Sequence, residues 1–448
     1  MITYRQCPEL YPSYESIISP GRPVHAICPV PGSKSISNRA LVLAALGAVD
    51  SPCQLEGLLA SEDTEVMVDS LRRLGWEVSV DWNGCRAVVS VPKSVRRFFS
   101  GGPPSEKADL FVGNSGTTMR FLAAICSLGH GEFRLDGVDR MRARPLGDLL
   151  EALKQVGAKV ECELELGFPP VSITGKGWQS GLIHVSGSVS SQFLSGLLLA
   201  ATASGREIEI RTTGALVSEP YVGMTLRMIR QWGGKAQENA DGCFHLSQQK
   251  VPCIQRYQIE PDASSATYFW AIAAITGGDV LVPGLGAESL QGDVAFVDCL
   301  ERMGCLVSRE EGGIRVRGRA LRGITVDMNA ISDTVMTLAV VALFAVGETR
   351  ILRVGHIRHK ETDRLAAICI ELNRLGVRVE DTGDGLVIYP GPLRPARVKT
   401  YKDHRMAMSL ALVGLRLPGL EVDDPGCVAK TYPGFWIDLR RALGSGTS

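Results

Sequence analysis

The sequence has no excess charge of either sign: lysine plus arginine and aspartate plus glutamate each number 48. No overall field draws it to nucleic acid or to an anionic membrane, so any anion site must be a local concentration of cations. It has no C-x-x-C pair, and its twelve cysteines, scattered from Cys7 to Cys427, show no zinc-site spacing. Several sit inside apolar patterns, such as Cys126, Cys299 and Cys369, and read as small buried hydrophobes of a reducing cytosol. The longest apolar run, around residues 334–347, is too short to span a bilayer. The first residues, MITYRQCPELYPSYES, lack the apolar core of a secretory signal, so the expected location is cytoplasmic. A nucleotide P-loop is missing too, because Ser33 and not glycine precedes Lys34 in PGSKS. His356 and His359 form an H-x-x-H pair with no further ligand nearby, which reads as no metal site.

What is present is a repeated device. A small polar loop runs into a strongly apolar helical pattern that stops near a glycine. It occurs six times, starting at residues 31 (PGSKSISNRALVLAALGA), 113 (GNSGTTMRFLAAICSLG), 187 (GSVSSQFLSGLLLAATASG), 261 (PDASSATYFWAIAAITGG), 331 (ISDTVMTLAVVALFAVG) and 402 (KDHRMAMSLALVGLRLPG). Such a period marks duplicated supersecondary units. A second, amphipathic helix ending in glycine follows in each unit, as in DTEVMVDSLRRLG and KETDRLAAICIELNRLG. In the first five units strand-like residues come next. One unit therefore reads βαβαββ.

A chain of 448 residues is too long for one core, so the six units divide three and three. Helices apolar on all sides belong inside a domain, and amphipathic ones outside. The predicted fold class is mixed α and β: two domains, each with three buried helices surrounded by sheets. HAICPV at 25–30 reads as a strand that completes the sheet of the C-terminal half. The expected domains are 32–260, and 1–31 plus 261–448, with the polar helix starts lining a cleft between them.

Helix starts favour anions through their unpaired N–H groups and dipole. Lys34 and Arg39 add two charges at the first start, beside Ser35. Ser190, Ser191 and Gln192 at the third are either a capping group or a phosphate cradle. Asp333 at the fifth reads as an N-cap, and Asp262 caps the fourth. Glu361 and Arg364, spaced i,i+3 in KETDR, fit a surface pair. Arg142 and Arg144 in DRMRARP read as surface charge. Tyr221 in LVSEPY reads as a half-buried aromatic.

The motifs PGSKSISNRAL, GNSGTTMRFLA, DRMRARP, GSVSSQFL, LVSEPY, PDASSATYF, QGDVAF, KETDR, DHRMAM and CVAKTYP, in this order, resemble the enolpyruvyl transferase family. Within it they resemble the members that act on shikimate 3-phosphate, from about residue 26 to residue 437. The resemblance implies a two-domain inside-out α/β barrel of six repeats, with the active site in the cleft. It implies transfer of the enolpyruvyl group of phosphoenolpyruvate to the 5-hydroxyl of shikimate 3-phosphate by addition and elimination, giving 5-enolpyruvylshikimate 3-phosphate and phosphate. This is a step toward chorismate and the aromatic amino acids, and the family is the target of glyphosate. Neither metal nor organic cofactor is implied, and the expected protein is a monomer acting on small molecules. Lys34, Asp333 and Glu361 would be catalytic. Shikimate 3-phosphate would meet Lys34, Ser35, Arg39, Ser190, Ser191, Gln192, Ser218, Tyr221, Asp333, His356 and Lys360. Phosphoenolpyruvate would meet Lys34, Asn114, Gly116, Arg140, Gln192, Arg364, Arg405 and Lys430. His404 would support the site. Phe121 stands where relatives carry a small residue or proline, and is expected to press on the Gly116–Thr117 loop. The alternative within the family is the transferase acting on UDP-N-acetylglucosamine, but its mobile-loop cysteine has no counterpart in residues 127–161.

Overall fold

A helix that is apolar on every side has to be covered along its whole length, and six such helices organise this chain. The computed structural model describes residues 11–94, 101–239, 242–247 and 251–444. Cys7 lies outside them. The buried helices are Lys34–Gly47, Gly116–Leu128, Ser191–Ala203, Ala263–Thr276, Val335–Ala342 and His404–Ala411. In the fourth, every residue from Ala263 to Ile275 is buried. Among the described residues the chain folds as two compact units, one spanning 32–259 and the other made of 11–31 together with 260–444.

The unit 32–259 holds the first three buried helices and three four-stranded sheets. Each sheet joins a parallel strand pair to an antiparallel hairpin. Gly181–Ser186 pairs in parallel with Ile208–Thr213, whose other edge takes Cys243–Leu246 and then Ala236–Glu238. The same order recurs around Lys107–Phe111 and His130–Asp136. The remaining sheet borrows its parallel strand from the far end of the segment: Arg256–Gln258 lies beside Cys53–Glu56.

The second unit repeats the plan around the other three helices. Its sheets are built on Asp279–Pro283, on Thr349–Leu352 and, with three strands, on Glu421–Asp423. His25–Ile27 pairs in parallel with Asp279–Pro283, and Tyr14–Ser16 pairs antiparallel with Glu421–Asp423. The N-terminal segment thus supplies an edge strand to two of these sheets. Where the three buried helices meet, hydroxyls join them: Thr267 Oγ1 lies 3.3 Å from Thr337 Oγ1, and that lies 3.2 Å from Ser409 Oγ. Polar atoms inside an apolar bundle are paired in this way because an unpaired one costs about 1–3 kcal/mol.

The outer helices end as the glycine pattern requires. Gly75, Gly157, Gly233, Gly304, Gly376 and Gly444 all have positive φ, the left-handed conformation that closes a helix. Side-chain caps open four buried helices: Ser33, Ser190, Asp262 and Asp403 each accept a backbone N–H of the first turn. The fifth departs from expectation. Residues Asn329–Thr334 form a 3-10 turn kinked at Ile331, and the helix starts only at Val335 with Thr334 as N-cap. Asp333 is therefore not a cap. KETDR differs as well: Asp363 caps a helix that begins at Arg364, so Lys360 and Glu361 precede it.

Among the described residues every cysteine is a free thiol, Cys126 and Cys299 buried and Cys369 half-buried. No helix among them is long and apolar enough to cross a membrane. The helices Gly116–Leu128 and Ser191–Ala203 pack tightly at Gly196, where a Cβ would lie 2.9 Å from the Arg120 carbonyl oxygen. Backbone cannot yield there as a side chain would. Gly196→Ala is therefore expected to lower stability by about 1–3 kcal/mol, as overpacking does. A urea melt with an unchanged midpoint would show that the two helices have room to part.

Candidate active site

In the unit 32–259 the residues expected at the site lie at or near the polar helix starts. Lys34 opens the first buried helix, and its Nζ lies 3.3 Å from Oδ2 of the buried Asp63. That partner was not foreseen: it sits 29 residues on, in the first turn of the next helix, where an acid normally serves the dipole. Arg39, one turn after Ser35, is fully buried. Its Nε donates to Thr225 Oγ1 at 2.8 Å, Nη1 to the Ser35 carbonyl at 3.0 Å, and Nη2 to Ser195 Oγ and the Tyr221 carbonyl at 3.2 and 3.1 Å. Burial pushes Arg39 down to about 10, with Tyr221 opposing, so it stays charged at neutral pH. Most of its donors are spent on the protein, and it pins the Ser195 and Tyr221 segments together.

Phe121 belongs to this arrangement. The Arg39 guanidinium carbon sits 5.1 Å from its ring centroid, a cation–π geometry. Its ring therefore packs on Arg39.

The second helix start gathers two more arginines. A Cβ at Gly116 would lie 2.5 Å from both Arg120 Nη1 and Arg144 Nη2, so only glycine leaves the guanidinia this close to the backbone. Arg120 donates to the Gly116 carbonyl at 3.1 Å, and Arg144 Nη1 to the Asn114 carbonyl and Oδ1, each at 3.3 Å. Gln192 reaches across from the third helix start, its Nε2 3.3 Å from Thr117 Oγ1.

This corrects the reading of DRMRARP. Arg144 is only 4% exposed and is not surface charge. Arg142 is: it makes a two-pronged ion pair with Asp136, at 2.9 and 2.7 Å, and holds that carboxyl below its usual range. Arg140 is half-buried on the short helix Asp139–Arg142, and the arginine that reaches the Asn114 loop is Arg144. Nothing in the alternation R-M-R-A-R distinguishes the three. The helix ends after Arg142, and the following turn carries Arg144 inward.

The remaining groups of this unit are placed as follows. Ser190 accepts from the Gln192 N–H at 3.2 Å as an N-cap, and Ser191 beside it is buried. Ser218 is buried with φ of 51°, an uncommon conformation for serine, and Tyr221 is half-buried. Lys34 pairs with Asp63, and Arg39, Arg120 and Arg144 are buried in the same unit.

The second unit holds a cluster in which acids and bases balance. Asp333 Oδ1 accepts from Lys360 Nζ and Arg364 Nη1, both at 3.1 Å, and Oδ2 accepts from Arg405 Nη2 at 2.8 Å. Arg364 is 1% exposed. It also donates to Asp403 Oδ2 and Glu361 Oε2, each at 2.8 Å. The Glu361–Arg364 pair is thus buried and is not a surface pair. Lys430 Nζ lies 4.0 Å from Glu361 Oε1. Burial lowers the proton affinity of Arg364, but Asp403, Glu361 and Asp333 outweigh it and the net shift is upward. For Lys360 burial wins over Asp333, and its pKa is lowered. His356, half-buried beside them, is pushed down to about 4 by burial and then by Lys360, so it is neutral at pH 7. His404 is wholly buried, its Nδ1 3.7 Å from Asp403. Among the described residues no group of three or more His, Cys, Asp or Glu could hold a metal ion.

Two three-helix units, one presenting a cationic glycine loop and the other a balanced set of buried acids and bases, define a transferase suited to small anionic substrates. The family model for EPSP synthase (3-phosphoshikimate 1-carboxyvinyltransferase) matches residues 18–439, and the chain belongs to that family. It is 43% identical over 424 residues to the 3-phosphoshikimate 1-carboxyvinyltransferase of Trichormus variabilis, covering 94% of this chain and 97% of the relative. It is 43% identical over 441 residues to the chloroplastic enzyme of that name from Arabidopsis thaliana, covering 95% and 84%. Among solved structures, EPSP synthase of Acinetobacter baumannii superposes with a TM-score of 0.76 at 26% identity, covering 95% of this chain and 97% of that one.

Removing one member of a buried ion-pair network leaves the others unpaired and typically costs about 3–5 kcal/mol. Arg364→Met should lose that much in a denaturant melt at pH 7. Without the guanidinium, the neighbouring buried carboxylates lose a cation, and protonation relieves that loss. The deficit should therefore shrink as pH is lowered. A deficit that grows toward acid pH would contradict the pairing.

Proposed function

We propose that both clusters serve one reaction, with Lys34, Glu361 and Asp333 moving its protons. As a member of the EPSP synthase family the protein transfers the enolpyruvyl group of phosphoenolpyruvate to the 5-hydroxyl of shikimate 3-phosphate. Phosphate leaves, and the product feeds aromatic amino acid biosynthesis. The observation that carries the residue assignment is the convergence of Arg120 and Arg144 on Gly116. Two guanidinia over a backbone without a side chain make a seat for a small dianion. We assign phosphoenolpyruvate to it, with Lys34, Asn114 and Gln192 beside it, and with Arg364, Arg405 and Lys430 as its cations from the second cluster. Arg140, half-buried on the neighbouring short helix, keeps its expected place beside this seat, and Arg144 joins it. Shikimate 3-phosphate is assigned to Ser35, Ser190, Ser191, Gln192, Ser218 and Tyr221, with Arg39 holding those segments in register. Lys360 and the neutral His356 face the same substrate beside Asp333. We also read the chain as a cytoplasmic monomer without other partners, a reading supported by its free thiols.

The chemistry follows from these placements. Protonating the methylene carbon of phosphoenolpyruvate gives the neighbouring carbon cationic character, and the 5-hydroxyl oxygen adds there. Glu361 and Lys34 are the proton carriers at carbon. Asp333 accepts the hydroxyl proton as the C–O bond forms. Loss of phosphate and of one methyl proton restores the double bond. Nothing in this scheme calls on a nucleotide sugar, and the relatives named above are 3-phosphoshikimate enzymes.

Arg144→Ala should raise KM for phosphoenolpyruvate or lower kcat/KM by about 100-fold, as loss of a charged contact worth about 3 kcal/mol would. Arg142→Ala should stay within about threefold. Equal effects of the two would return the assignment to the whole DRMRARP segment.

Turnover in deuterium oxide should place deuterium in the product's vinyl group, because a freely rotating methyl forgets which proton arrived last. Glu361→Gln should slow turnover by about 10²–10⁴-fold while shikimate 3-phosphate still binds. Product free of solvent deuterium would end the addition–elimination scheme, and a variant within about threefold of the parent would move the proton donor to Lys34.

A further inference from the structure

Asp333 is held by three cationic donors, Lys360, Arg364 and Arg405, and that makes it a poor base: each cation favours the charged carboxylate. The structure contains a counterweight. Asp293, in the Gly292–Ala295 turn of QGDVAF, is 3% exposed and receives the hydroxyl hydrogen bond of Ser264 on its Oδ2. Ser264 Oγ in turn accepts from Arg405 Nη2 at 3.4 Å, and the same Nη2 donates to Asp333 Oδ2 at 2.8 Å. The turn is fastened to the start of the buried helix Ala263–Thr276. Gln291 Oε1 accepts the Ala263 N–H at 2.9 Å, and its Nε2 donates to the Pro261 carbonyl at 2.7 Å.

We propose that Asp293 is a positioning residue for the transfer: through Ser264 it fixes Arg405 against Asp333, and its negative charge keeps Asp333 able to accept the 5-hydroxyl proton. The inference rests on Asp333 being that acceptor. Asp293 itself exchanges no proton with substrate.

The surroundings support it. Burial and then the like charge of Asp333 push Asp293 up to about 6, against the pull of Arg405 and the Ser264 hydrogen bond, with Asp262 adding repulsion. Tyr268, on the Ala263–Thr276 helix, is itself pushed up to about 12 by burial and stays neutral. Asp298, on the following helix, is solvent-exposed and paired with Arg309. At neutral pH Asp293 is therefore largely ionised, inside the protein, next to a second carboxylate. Repulsion between the two raises the proton affinity of both, as in other coupled acid pairs. It also burdens the fold. A carboxyl whose folded pKa lies above its unfolded value loses stability as pH rises through the folded pKa, here near 6.

The test uses the full chain with Asp293→Asn, Ser264→Ala and Asp333→Asn, read by kcat, KM, the pH profile of kcat/KM, and thermal midpoint. Asp293→Asn should lower kcat by roughly 10-fold or more and displace the acid limb of the profile to lower pH, because removing the like charge lowers the proton affinity of Asp333. Its thermal midpoint at pH 7.5 should be equal to or above the parent's. Ser264→Ala should lower kcat with the acid limb in place, since the charge of Asp293 remains. An Asp293→Asn enzyme with an unmoved acid limb, or one whose activity falls only as its midpoint falls, overturns the proposal. Asp333→Asn separates the two readings. If it is inactive while Asp293→Asn behaves as the parent, only the positioning role fails. If it keeps activity within about threefold, the base assignment fails and the proposal with it.

Discussion

Six helices apolar on all sides are the constraint from which the rest of this structure follows. Such a helix has no face to give to water, so each unit must wrap its three helices in sheets and outer helices. The helix starts are largely buried too but carry polar residues, because their unpaired N–H groups need polar partners. Ser33, Ser190, Asp262 and Asp403 supply caps there. Lys34, Arg39 and Arg405 sit within a turn or two of Ser33 and Asp403. Packing and chemistry are thereby separated along one axis: apolar residues fill the helix bodies and ionisable ones collect at the starts.

The two units use this arrangement differently. In 32–259 Lys34, Arg39 and Arg120 lie on buried helices whose starts favour anions, Arg144 reaches the Asn114 loop, and Asp63 pairs with Lys34. That excess of positive charge suits the holding of phosphates and carboxylates. In the other unit each buried cation meets a carboxylate, and Arg364 touches three. A balanced cluster attracts little from a distance but holds its members in fixed protonation relationships, which proton transfer requires. Buried ion pairs of this kind add little to stability, and are better understood as positions held for chemistry.

The helix breaks point the same way. A regular helix start at Asp333 would have spent its carboxylate on backbone N–H groups. The kink at Ile331 instead leaves both oxygens to Lys360, Arg364 and Arg405. The KETDR segment shows the same economy: Asp363 takes the cap, and Glu361 is left to pair with Arg364.

The amino-acid sequence alone determined the repeat, the layering and the kind of residue at each helix start. Those rest on local rules, namely the 3.6-residue period, glycine where φ must be positive, and oxygen side chains where N–H groups are unpaired. Its motifs were also enough to point to the family. What the tertiary structure decided were choices among equals. Arg140, Arg142 and Arg144 are alike in sequence, yet the end of a short helix sends Arg144 to the Asn114 loop and leaves Arg142 with Asp136. Asp63 becomes the partner of Lys34, Phe121 the platform of Arg39, and Asp293 the neighbour of Ser264 only because separate segments pack together. A carboxylate or guanidinium takes its role from the charges within a few ångströms, and those distances come from packing between residues far apart in the chain.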